Sequence, residues 1–270
     1  MVVPRLHRPG RPLAAHVEYF GHSDGPGRPL RDRALPRGAA TVIFDLSPRQ
    51  RLEVYAADGH TPLPVPPAVV MGPHVSSYVC DVDPHATTLA IHFLPGGAAP
   101  FLPMPLQDLE SDFLGVDEVW GADGRRLHEQ LIETPGAAGR FALLEQFLVA
   151  RARPSARYAD VATALDAVER SPELRIADVG ALTGLSPKRL IARFRTEVGL
   201  TPKAYARVRR FQAALRRLRA GDARGAEIAA DVGYFDQAHF VREFRSFTAM
   251  TPSQYAQRRI RLPSHVPIAG

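Results

Sequence analysis

Apolar positions recur at helical spacing in the second half of the chain, and the same pattern is written twice. Ile176, Val179 and Leu182 mark a short helix that stops at Gly184, and Ile228, Ala229 and Val232 mark another that stops at Gly233. Each is followed by a second helix with an apolar pair four residues apart, Leu190 and Phe194 in one case and Phe240 and Phe244 in the other. Residues four apart share one helix face, so each pair predicts a buried stripe. The second helices open on polar caps, Ser186 followed by Pro187 at the first helical position and Asp236 in the other copy. A glycine at a tight bend between two helices tolerates a positive φ without a Cβ clash, so each copy reads as a helix-turn-helix.

The copies run from Ile176 to Pro202 and from Ala226 to Pro252. Phe194 recurs as Phe244, Arg195 as Arg245 and Thr201-Pro202 as Thr251-Pro252, all 50 positions on. Gly184 and Gly233 are 49 apart, so the second turn carries one extra residue. Opposite the apolar stripes lie Lys188, Arg189, Ile191, Ala192 and Arg195 in the first copy, and Gln237, Ala238, His239, Val241, Arg242 and Arg245 in the second. These are the faces predicted to meet DNA. Lys188, Gln237 and Arg242 are the base-reading candidates, and Arg189, Arg195 and Arg245 are the phosphate candidates. Between the copies, Pro202 to Ala220 reads as one helix with a stripe at Val208, Phe211, Leu215 and Leu218. Its length is roughly 28 Å at about 1.5 Å per residue, against about 34 Å between successive major-groove segments on one side of a duplex. A connector of that size can set two recognition helices, 187–198 and 237–247, in adjacent grooves. It also carries Arg207, Arg209, Arg210, Arg216, Arg217 and Arg219, which read either as a solvated face or as phosphate contacts, with Arg207 and Arg210 foremost among the contacts.

The pattern upstream is different. Short runs rich in β-branched and aromatic residues, Thr41 to Leu46, Leu52 to Ala56, Ala68 to Met71, Ser77 to Val82 and Thr87 to Leu94, are separated by Asp58-Gly59, Asp83-Pro84 and Pro95-Gly96-Gly97. Such punctuation predicts a small antiparallel sandwich or half-barrel. Helical patterns follow in PLQDLESDFLG from Pro105, in Gly124 to Glu133 and in Gly139 to Ala152. The last places Phe141, Leu144, Phe147 and Leu148 on one side, a stripe that serves either its own domain or a dimer contact. Proline blocks helix continuation, so Arg153-Pro154-Ser155 is the predicted boundary between a domain over 1–154 and one over 155–262. The proline-interrupted tail, 263–270, is predicted to be disordered.

Charge follows this division. Ser155 to Leu262 holds 20 basic and 11 acidic residues, leaving 14 and 17 for the rest of a 270-residue chain whose net charge is +6. A basic half joined to a slightly acidic half fits a nucleic-acid module attached to a second function. Only Lys188 and Lys203 are lysine, so the arginine content reflects a compositional bias as much as chosen chemistry. Cys80 is the sole cysteine, which excludes an internal disulfide and fits a reducing cytoplasm. No run approaches the roughly 20 apolar residues of a membrane span, and the first twelve residues lack an apolar signal core, so the expected location is cytoplasmic, with no membrane partner.

Catalytic chemistry finds little footing. Gly21-His22-Ser23-Asp24-Gly25 matches the hydrolase G-x-S-x-G pattern, yet Pro26-Gly27-Arg28-Pro29 follows and cannot open the helix that chemistry requires, so the stretch reads as a polar loop. His74, His85 and His92 lie among predicted strands without a His-x-His pair or a nearby glutamate, which points to surface or pocket residues rather than metal ligands. Cys80 reads as a small core residue before a redox sensor. No motif asks for a cofactor.

At Tyr158 to Arg259, and above all in GYFDQAHFVREF followed by TPSQY, the chain resembles the AraC family of bacterial transcriptional regulators. Ala192 stands where many members carry a basic residue, and Ala249 where glycine is common after the last helix. The resemblance implies an α+β protein: a cupin-like antiparallel β-sandwich or half-barrel with helices, ahead of an all-α domain of two helix-turn-helix units on a linker helix. It implies a sequence-specific regulator rather than an enzyme, binding double-stranded promoter or operator DNA. A small-molecule effector, a homodimer and, for an activator, RNA polymerase are its implied partners. Two rival readings are a cupin-type enzyme whose DNA domain controls its own expression, and an architectural DNA binder without sequence preference.

Overall fold

The computed structural model describes residues 5–24, 30–109, 113–153, 158–171, 173–221, 225–258 and 264–268. Its first half is built on eleven strands. These are β1 (Arg5–His7), β2 (Val17–Ser23), β3 (Leu30–Ala34), β4 (Thr41–Asp45), β5 (Leu52–Tyr55), β6 (Pro62–Leu63), β7 (Ala68–Met71), β8 (Tyr78–Val82), β9 (Thr88–Phe93), β10 (Phe113–Gly115) and, from the far end of the chain, β11 (His265–Pro267). They form two antiparallel sheets, one ordered β1-β2-β9-β4-β7-β10 and the other β11-β3-β8-β5-β6.

Period-two alternation decides what each sheet face touches. On β9, Leu89, Ile91 and Phe93 are fully buried, and Val42 and Phe44 of β4 lie on the same face beside them. That face is covered by α1 (Val116–Trp120), α2 (Ala122–Glu133) and α3 (Gly136–Arg151), whose Leu127, Leu131, Phe141, Leu144 and Leu148 complete the core. The predicted α3 stripe therefore serves its own domain in this structure. Between the sheets lies a smaller cluster of Leu52, Val54 and Cys80 with Ile43, Tyr78 and Phe113. Burial pushes the Cys80 thiol up to about 12, which makes it an inert core group.

Three expectations need correction. The predicted helix from Pro105 is a 3-10 turn over Leu106–Leu109 followed by strand β10, which pairs with β7; between them, 110–112 lie outside the described residues. Gly21, His22 and Ser23 of the G-x-S-x-G match, expected in a polar loop, instead end strand β2. The tail expected to be disordered forms β11, with Val266 opposite Arg33 of β3 and fully buried among Leu35 and Phe211. An open sheet edge and an apolar slot for one valine supply what the proline-broken sequence does not advertise. The predicted boundary at Pro154-Ser155 falls outside the described residues.

The second half is all helix: α4 (Tyr158–Arg170), α5 (Ile176–Thr183), α6 (Pro187–Val198), α7 (Pro202–Ala220), α8 (Gly225–Asp231), α9 (Gln237–Thr248) and α10 (Pro252–Ala256). α7 serves two cores. Tyr205 and Ala206 join Val161, Val168, Val179, Leu190 and Phe194, while Phe211 and Leu215 join Ile228, Val232, Phe240 and Phe244. Leu182, expected to be apolar and inward, is 61% exposed. The two halves of the chain also touch. Gln212 Nε2 donates to the Pro36 carbonyl at 2.7 Å, and a Cβ on Gly199 would stand 2.4 Å from Pro73, so only glycine fits there.

Candidate nucleic-acid interface

Each helix-turn-helix is held by the contacts its sequence calls for. Gly184 and Gly233 adopt left-handed φ values of 67° and 80° at the two bends. The Ser186 hydroxyl accepts the Arg189 backbone N–H at 3.4 Å, and the Asp236 carboxylate accepts that of His239 at 2.6 Å. Leu190, Phe194, Phe240 and Phe244 are fully buried. These anchors turn the other face of α6 and of α9 outward.

On α6 that face carries Lys188, Arg189, Ile191, Ala192 and Arg195, all exposed. On α9 it carries Gln237, Ala238, Arg242 and Arg245, all exposed, with Val241 half-buried. An α-helix presenting such residues from its N-terminal end fits the width of a major groove. α7 spans 19 residues between the two units, as its caps require: Thr201 accepts from Ala204 N at 3.2 Å, and Gly221 ends the helix at φ 75°.

Three candidates sit differently. Arg207 donates Nε–H to Glu243 Oε2 at 2.9 Å and lies over the Phe247 ring at 5.6 Å. Arg210 lies over Tyr234 at 5.4 Å. His239 is half-buried, with its ring edge against Tyr234 at 5.3 Å and Nε2 at 3.9 Å from Glu243. All three are thus gathered around Tyr234 and Glu243 at the seam of α7 and α9. Burial first, and then the Glu243 carboxylate, push the Tyr234 hydroxyl well above its ordinary pKa.

The first unit has a matching tie that sequence reading missed. Glu169 of α4 pairs with Arg209 of α7, and its Oε1 accepts the Tyr205 hydroxyl at 2.8 Å. Glu169 lies outside any motif and Glu243 sits within the GYFDQAHFVREF signature without a role read from it; the signal available was that each is an acid on an otherwise apolar helix face, which asks for a buried partner. Beyond the arginines used in these ties, Arg217 pairs with Asp231 at 2.6 Å, and Arg219 is exposed at the end of α7.

The histidines of the first half hold no cluster of three or more metal-ligand side chains among the described residues. His92 Nδ1 instead meets Arg37 Nη1 at 2.8 Å, and the other Arg37 nitrogen contacts Glu18. His74 lines a cavity of about 150 Å³ between the sheets with Leu63, Met71, Ser77, Tyr78 and Phe113.

Known proteins share both halves. Residues 179–258 match the family described as a helix-turn-helix domain, and residues 5–114 match a domain of unknown function, DUF6597. A putative AraC-like transcription regulator of Streptomyces lividans is 36% identical over 97 residues, which cover 35% of this chain and 32% of the relative. An uncharacterized HTH-type transcriptional regulator of Haemophilus influenzae is 30% identical over 95 residues, covering 34% and 32%. The chain thus spans about a third of the length of these curated relatives. Among solved structures, ToxT of Vibrio cholerae superposes with a TM-score of 0.50 at 10% identity, covering 88% of this chain and 97% of that one, a likeness of fold. No helix among the described residues is long and apolar enough to cross a membrane.

Proposed function

We propose that the chain, whose C-terminal domain is similar to that of AraC-like regulators, is a sequence-specific DNA-binding regulator of the AraC family whose α6 and α9 enter adjacent major-groove segments. The observation that carries this reading is the pair of outward faces fixed at either side of α7. Each recognition helix is tied to α7 by an acid on an arginine, Glu169 with Arg209 through α4 and Glu243 with Arg207 directly. A connector held at both units transmits a fixed spacing, and a fixed spacing is what two base-reading helices on one duplex need.

In this reading Lys188, Gln237 and Arg242 contact base edges, and Arg189, Arg195 and Arg245 neutralise phosphates, supplying affinity that falls with salt. Arg207, Arg210 and His239 shape the interface from behind. Ala192 leaves the first unit with Lys188 as its principal polar reader, so α9 carries the larger share of sequence preference. DNA of the cognate promoter or operator is the partner.

The first half is the responsive part in this proposal. The intersheet cavity, at about 150 Å³, has room for a molecule the size of benzene. The segment Leu35–Gly38 ties that half to the helical domain: Leu35 is buried with Phe211, the Pro36 carbonyl holds Gln212, and Gly38 lies under the Tyr205 ring. Arg37, in its middle, turns back to His92. A ligand that moved Arg37 would move the seat of α7.

The test is fluorescence anisotropy of the purified chain on duplexes enriched from a random library, against a scrambled duplex, across a salt series. A preference of about 10³-fold or more near physiological salt is the expected result. Equal affinity for every sequence would replace this reading with an architectural binder.

A further inference from the structure

The two helix-turn-helix units differ by one residue at the turn, and that residue is Phe235. In the first unit Gly184 is followed by Leu185 and then by the cap Ser186. In the second, Gly233 is followed by Tyr234, Phe235 and then the cap Asp236. Tyr234 takes the inward place of Leu185 and is buried against Phe240, with ring centroids 5.1 Å apart. The extra residue has nothing to pack on. Phe235 is 93% exposed, whereas none of the other twelve phenylalanines of the chain is exposed.

A single exposed apolar side chain is ordinary on a protein surface. Three features set this one apart. It stands one residue before the N-cap of α9, the end of a recognition helix that faces base edges. Its backbone is fixed on both sides, by the buried Tyr234 before it and by the Asp236 cap on the His239 N–H after it. It is also continuous with the exposed Gln237 and Ala238. The ring is therefore held outward in advance, at little further entropic cost on binding.

We propose that Phe235 is a specificity-determining residue that covers the C5-methyl group of thymine in the major groove beside α9. The chemistry on the page selects that target. The major groove exposes one apolar group, the thymine methyl, and an aromatic ring is among the side chains that meet it. Phosphates and hydrogen-bonding edges would gain nothing from a phenyl ring. The second unit thus reads a thymine by contact where the first unit, with its shorter turn, has no equivalent side chain. The inference rests on the DNA-reading function proposed above.

The experiment uses the full chain and keeps the two readings apart. Wild-type protein first selects duplexes from a random library. Binding of wild type and of Phe235→Ala is then measured on the selected duplex and on copies in which each thymine of the α9 half-site is replaced by deoxyuridine, which removes only the methyl group. Wild type is expected to lose about fourfold per covered methyl at one or two positions. Phe235→Ala is expected to bind the thymine duplex more weakly, to show no further loss at those positions, and to melt at the wild-type temperature because the ring is not packed. If Phe235→Ala binds the selected duplex as tightly as wild type, or if both proteins lose equally on deoxyuridine, the contact is refuted and the ring is left for a protein partner. If the wild-type chain enriches no sequence at all, the regulator reading fails and the contact falls with it.

Discussion

Arg207 and Glu243 meet across the seam between α7 and α9, with the guanidinium Nε–H donated to Oε2 at 2.9 Å. Two positions further along α7, Arg209 holds Glu169 of the first unit. Residues two apart on a helix point about 200° from each other. The two ties therefore leave opposite sides of α7, and each fixes one unit. The arginines of α7, open from sequence to reading as a solvated face or as phosphate contacts, serve in part to fasten the domain.

Glu243→Ala should loosen that fastening. The carboxylate side chain is 7% exposed and Arg207 is 40% exposed, so water recovers part of what the arginine loses. The expected cost is about 1–2 kcal/mol, toward the low end for hydrogen bonds to charged groups. Urea denaturation followed by helical circular dichroism measures it; an unchanged midpoint would show the pair to be energetically idle.

Arg242 stands exposed on the outward face of α9. If it holds a guanine bidentately, Arg242→Ala costs about 1–3 kcal/mol on the selected duplex and relaxes preference at one base pair. Competition binding against duplexes varied at each position reads this directly. An equal loss on scrambled DNA would make Arg242 a phosphate contact.

Ala249 ends α9 at φ 59°, a left-handed conformation that no other non-glycine residue adopts among those described. Gly199 holds the matching place in the first unit at φ 83°. An L-residue there costs roughly 1–2 kcal/mol that glycine does not incur. Ala249→Gly is expected to raise stability by about 1 kcal/mol, after glycine's greater unfolded-state entropy is offset. A lowered denaturation midpoint would contradict the assignment.

Acid should weaken the contact between tail and sandwich. Burial, with Arg37 nearby, lowers His74 to about 4, His265 to about 4 and His92 well below its ordinary value. Between pH 6.5 and about 4 the unfolded chain therefore binds more protons than the folded one, and stability falls as pH falls. Asp32, raised by burial to about 6, acts in the opposite sense below that pH, but one carboxyl stands against three imidazoles. Relative to the intrinsic rate at each pH, hydrogen exchange of residues 264–268 should quicken between pH 7 and pH 5, and His265→Asn should flatten that dependence. A rate that follows only the intrinsic chemistry of exchange would exclude the histidines.

The helical domain could be read from the chain because its determinants are local. Caps such as Ser186 and Asp236, bends at Gly184 and Gly233, and pairs four apart such as Phe240 and Phe244 all act within one or two turns, and the repeat doubles each signal. Five strands of the first half were legible for the same reason, through their β-branched and aromatic content and the turn residues between them. β2 was not, because what makes it a strand is a partner about seventy residues away, with Phe20 opposite Ile91. Nor was β11, whose Val266 becomes a core residue only when β3 and Phe211 stand beside it. The outward residues of α6 and α9 followed from helical periodicity, since burial of one face fixes the exposure of the other. Which arginines of α7 make ties within the domain did not follow: Arg207 and Arg210 carry the same charge as their neighbours, and only the nearness of Glu243 and Tyr234 in space sets their partners. Sequence determined the elements and their faces, where the forces act between near neighbours along the chain. Tertiary structure decided the sheet edges, the seat of the tail and the partners of each charge, where they act between residues that folding alone brings together.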